Sequence, residues 1–131
     1  MKKFFSLAVV CCLALVGIVF SSCENEQKSN YQYVVGLAKV EQDPQLSMQF
    51  ELNGLPIIME EMKKATDRAD ANSIIINDTR SNADKRATEA FDNGVAKLRK
   101  ETNDSYKGLI VVLNLSDPDT NKPIEIKKVT L

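Results

Sequence analysis

Histidine is absent from this 131-residue chain, and so is tryptophan. Cysteine occurs only as Cys11, Cys12 and Cys23, so everything after residue 23 lacks a thiol. That remainder has no ligand set for a usual zinc or copper site, no Ser-His-Asp triad and no thiol nucleophile. It can form no internal disulfide either. Catalysis would fall to carboxylates, lysine or tyrosine, and no catalytic residue, metal ligand or cofactor site is assigned. Without tryptophan the strongest stacking platform for sugars or bases is also missing. A surplus of one charge is lacking as well: 17 basic residues face 18 acidic ones. Nucleic acid, which calls for a basic patch, is therefore not an expected partner.

What the chain does have begins at its N-terminus. Lys2 and Lys3 precede an apolar or small-residue run over 4–20, followed by Phe20-Ser21-Ser22-Cys23. A basic start, an apolar run and small residues at a cleavage site make a secretory signal segment. The site resembles the lipobox of bacterial lipoproteins, with Ser21 and Ser22 at the small positions and Phe20 where leucine is usual. That resemblance covers residues 1–23 only. It implies that 1–22 is removed and that Cys23, carrying a diacylglycerol on its sulfur, becomes the first residue. It also implies a cell-envelope location, the outer membrane foremost, periplasmic or surface-facing, with membrane lipid as a partner through Cys23. Two alternatives stand beside it: an ordinary signal peptide, and a membrane helix, for which 4–20 is at the short end of the spanning range. Loss of Lys2 and Lys3 takes the 17 basic residues to 15 against 18 acidic ones, a net charge of −3.

Residues 24–30 are polar and read as a tether of seven residues, reaching at most roughly 23 Å. An acidic stretch after the cysteine accompanies surface export of lipoproteins in Bacteroidota. Glu24 and Glu26 resemble it, interrupted by Asn25. Residues 31–131 then form one domain.

Residues 31–41 carry apolar residues on both parities and predict a strand. In 46–52, Leu46, Met48, Phe50 and Leu52 alternate with Ser47, Gln49 and Glu51, which favours a strand buried on one face. A helix from 44 to 53, capped by Asp43 with Pro44 in its first turn, is the alternative. Asn53-Gly54 ends either element. Leu55, Ile58, Met59, Met62, Ala65 and Ala69 then lie on one helical stripe. Residues 74–76, Ile-Ile-Ile, suit a short strand but also continue that stripe. A second helix over 81–100 aligns Ala83, Ala87, Ala90, Phe91, Gly94, Val95 and Leu98. Asn77-Asp78-Thr79 reads as a stop and new cap, and Ser81 with Asp84 resembles a capping box. After a loop at 101–105, residues 108–115 are the strongest strand of the chain, expected near the centre of its sheet. A turn at 116–123 and a strand over 124–131 complete it.

The expected fold is α+β, a mostly antiparallel sheet of about four strands with two helices packed on one face. The order is β-β-α-α-β-β, with a short extra strand at 74–76 as the variant.

Candidate sites are few. Asp117, Asp119 and Asn121 are spaced like the first half of a calcium loop. Lys122 stands where that loop needs glycine and Lys128 where it needs glutamate, so a plain turn is preferred. Glu60 and Glu61 point about 100° apart on their helix and read as a solvated face with nearby lysines. Tyr31 and Tyr33 share a strand face and read as strand-edge packing. Gly36 and Gly108 are lone strand glycines. Two helices cover one face of a sheet, so the outward residues of the two-sided apolar strands should be left as a stripe. Val34, Val40, Ile110 and Val112 are the candidate interaction patch, for a partner protein or a homodimer; a loop or the tether folded over them is the alternative. The function expected is a lipid-anchored envelope protein acting as a non-enzymatic binding or interaction module. A surface-displayed inhibitor or small-ligand binder is the alternative, with a carboxylate-dependent hydrolase behind it.

Overall fold

The computed structural model describes residues 27–131. Strand β1 (Ser29–Leu37) is rich in aromatic and β-branched residues and takes the middle of the sheet. It starts earlier than expected. Ser29 and Asn30, assigned to the tether, pair with Asp78 and Asn77.

The segment expected as a second strand is helical. Helix α1 (Pro44–Gln49) is capped by Asp43, whose side chain accepts the N–H groups of Gln45 and Leu46. It runs through a π-helical turn (Phe50–Gly54) into helix α2 (Leu55–Met62) and a 3-10 turn (Lys63–Ala65). Half-buried Leu46 and buried Phe50, Gly54, Ile58 and Met62 recur every four residues along this rod. That spacing exceeds the 3.6 residues of an α-turn, and the wider π-turn helps hold them on one side. Met48 and Leu52, which completed the strand-like alternation, are 57% and 68% exposed. Gly54 does not end the element; a Cβ there would lie 2.9 Å from the Phe50 ring.

Strand β2 (Arg68–Ala69) follows, so Ala69 belongs to the sheet and not to the helical stripe. Residues 74–76 lie within strand β3 (Ser73–Asp78). Helix α3 (Arg80–Thr102) is capped by the Thr79 hydroxyl, which accepts the N–H of Asn82; the proposed Ser81–Asp84 box is not the cap. Its buried residues are the seven aligned in the sequence, Ala83, Ala87, Ala90, Phe91, Gly94, Val95 and Leu98. The helix continues to Thr102 and stops at Asn103, whose left-handed φ of 53° closes it. Gly108, at φ 99°, occupies a conformation costly for other residues and delivers the chain to strand β4 (Ile110–Ser116). Strand β5 (Pro123–Thr130) ends the fold.

The described residues thus form five strands in the order β2-β3-β1-β4-β5, each neighbouring pair antiparallel. The class is α+β as expected. The chain order becomes β-α-β-β-α-β-β, because one expected strand is a helix and two short strands precede α3. Strand β4 is interior, but β1 holds the centre. One sheet face carries Tyr33, Val35, Ile74, Ile76, Val111, Leu113 and Leu115 into the core, where the helices cover them.

Candidate interaction surface

Register decides which residues face away from the helices. Gly36 lies opposite Val112, Val34 opposite Asn114 and Ser73, and Gln32 opposite Ile75 and Ser116. Ile110, Val112 and Asn114 in turn oppose Thr130, Lys128 and Glu125. Successive side chains alternate across a sheet, so Val34, Ile75, Ile110 and Val112 share the open face. Val40 lies past the end of β1 and is 58% exposed.

The face is not bare. Val34, Ile75 and Ile110 are half-buried, and Val112 is only 6% exposed. The 38–42 segment closes off the end of the β1–β4 pair, where the Ala38 N–H donates to the Ile110 carbonyl at 2.9 Å. Gln42 there behaves as a pseudo-strand residue, its Oε1 accepting the Ile110 N–H at 2.7 Å and its Nε2 donating to the Ala38 carbonyl at 3.1 Å. Nothing in the sequence singled out Gln42. Beside it a groove of about 320 Å³ opens between 37–40 and the β4–β5 pair, lined by Ala38, Val40, Val112, Asn114, Glu125 and Lys128 among others. The structure therefore brings Val40 and Val112 to one groove, with Val34 and Ile110 elsewhere on the same face.

The remaining candidates are explained within the fold. Tyr33 is buried in the central strand, not at an edge, and its hydroxyl donates to Asp84 at 2.5 Å. Burial, and then the Asp84 carboxylate, push its phenol far above the ordinary range, so it stays a neutral donor. Arg80 completes the chain by pairing with Asp84 at 2.9 Å. Tyr31 is half-buried against the core. Lys97 bonds to Glu60 and approaches Glu61 at 3.6 Å, tying α3 to α2. Those contacts hold both carboxyls below their usual values: the Lys97 bond does so first at Glu60, a bond from Lys64 at Glu61. Asp117 accepts the Asp119 N–H at 3.0 Å and the Thr120 hydroxyl at 2.9 Å, bonds internal to its own turn. Among the described residues, no three acidic side chains are grouped to hold a metal ion.

One further cleft, of about 300 Å³, sits where the 3-10 turn meets β2 and includes Lys64, Arg68 and Arg86. Asp67 shares it, and Arg86 is already paired with Asp78 at 3.2 Å. Tyr106 also escaped the sequence reading: it is 8% exposed and meets Phe50 edge to face at 5.7 Å.

Cys23 and the signal-like residues 1–22 lie outside the described residues, as do Glu24, Asn25 and Glu26. No helix among the described residues is long and apolar enough to cross a membrane. Comparison of the chain with protein-family models, with curated proteins and with solved structures finds no match.

Proposed function

We propose that this protein is held at the cell envelope by an acylated Cys23 and that its domain is a non-enzymatic binding module. The groove beside Val40 is the observation that carries the second half. It joins exposed apolar surface to Asn114, Glu125 and Lys128, so a partner's apolar side chain there meets polar groups at the rim. The anchor half rests on the Phe20-Ser21-Ser22-Cys23 pattern. A short polar connection from Cys23 to β1 would keep the domain close to its membrane. The acidic side chains lean the same way: Glu60, Glu61, Asp78, Asp84 and Asp92 each pair with a cation. Paired carboxylates suit a stable surface better than acid–base work. A small-ligand binder is the second reading, favoured by the groove's modest volume, while a hydrolase would need two convergent acids.

Two measurements test the proposal separately. Mass spectrometry of the N-terminal peptide should show lipid on Cys23, and Cys23→Ser should abolish it. An unmodified wild-type peptide sinks the anchor. A photoreactive residue at position 40 should cross-link a discrete protein in intact cells, whereas one at exposed Lys85 should not. Equal labelling at both positions, or none at either, sinks the binding surface.

A further inference from the structure

The sheet has two edges, and they differ. Strand β2 is two residues long, whereas β5 offers eight residues along an open side. Leu131 donates its N–H to the Leu109 carbonyl and accepts the Gly108 N–H, both just ahead of β4, so alternation aims the groups of Lys128 and Thr130 outward. We propose that β5 pairs antiparallel with β5 of a second copy, in a register centred between Ile126 and Lys127. Glu125 and Lys128 of this edge also line the rim of the groove, but the pairing does not rest on the groove's function.

Charge complementarity selects this register. Between Leu113 and Asn114 the β4–β5 register shifts, so that Glu125 opposes Asn114 while Lys128 opposes Val112. The bulge returns two residues of unlike parity, Glu125 and Lys128, to one face. In the proposed register Glu125 lies opposite Lys128 of the second copy, and the two-fold axis repeats the pair. Neither side chain has an ion pair with another described residue, so both charges are available. On the other face Ile124, 37% exposed, meets Val129 of the second copy. At the strand ends Pro123, which has no N–H, lies opposite Thr130, whose carbonyl Arg99 already satisfies at 2.9 Å. Proline, lysine and a bulge usually blunt an edge against indiscriminate pairing. Here they leave a single self-complementary register.

Sedimentation velocity of the purified full chain in detergent should show a reversible, concentration-dependent dimer. Glu125→Lys and Lys128→Glu each set like charges opposite one another and should each weaken association by about tenfold or more. The double variant should recover it, and an equimolar mixture of the two single variants should form a heterodimer. Both positions are exposed, and unchanged circular dichroism would show that the variants remain folded. A monomeric wild type, or single variants that dimerise as well as the wild type, would overturn the proposal. Sedimentation is read on the purified chain alone, so its outcome is independent of whether position 40 cross-links a partner in cells.

Discussion

At Gly94 α3 packs tightly against α2. A Cβ at this position would lie 2.9 Å from the Cα, the carbonyl oxygen and the Cγ2 of Ile58. Two of those atoms are backbone, so relief requires the helices to separate. Gly94→Ala should therefore destabilise the protein by roughly 1–3 kcal/mol through overpacking. The same change raises helix propensity by about 1 kcal/mol, which offsets part of the loss. Urea unfolding decides the sign, and a more stable variant would show that the helices can part cheaply. Sequence placed Gly94 on the buried stripe of α3 but could not say what it touches. That information lies in α2, far along the chain.

At the scale of elements, the segment at 44–54 is the instructive one. Leu46, Met48, Phe50 and Leu52 fit a strand by period, while Asp43 and Pro44 fit a helix start. The cap tells the truth here because Phe50 has a socket only on the helical path, against Tyr106 and Gly54. Asp43→Ala should cost about 1 kcal/mol, since the N–H groups of Gln45 and Leu46 lose their acceptor. Asp43→Asn should restore most of that stability, and an unchanged urea midpoint in the alanine variant would refute the role of the cap. Residues 74–76 posed the opposite ambiguity. Their β-branched side chains prevailed because β1 supplies partners for Ile74, Ile75 and Ile76.

For the whole molecule, acid is the telling perturbation. Hydrogen bonds from the Thr79 N–H at Asp78 and the Asp119 N–H at Asp117 hold these carboxyls below their usual values, and Glu60 and Glu61 are lowered too. A carboxyl with a depressed folded value takes up protons on unfolding at acid pH. Its contribution is complete above the ordinary value of about 4 and is lost as pH falls through the depressed one. The urea midpoint should thus hold steady near neutrality and decline below pH 4. Asp117→Asn should soften that decline, and an identical acid profile would show that its turn contributes nothing. All of these groups are at the surface, so the acid loss is built from small increments.

The sequence alone determined the excluded chemistries, the signal-like N-terminus, the α+β class, the whole buried stripe of α3 and the apolar strand β4. Each is a local property: composition, or a period repeated often enough to stand without its partners. It also divided Val34, Ile110 and Val112 from their inward neighbours, because strand alternation is local too. Tertiary structure decided which of those two faces the helices would cover, that Gln42 would cap the end of the β1–β4 pair, and that Tyr33 would sit at the centre. It also decided that 46–52 would be a helix. Those outcomes depend on residues distant in the chain, Ile110 for Gln42, Asp84 for Tyr33 and Tyr106 for Phe50. Packing and pairing energies across such separations settle what a local pattern leaves balanced.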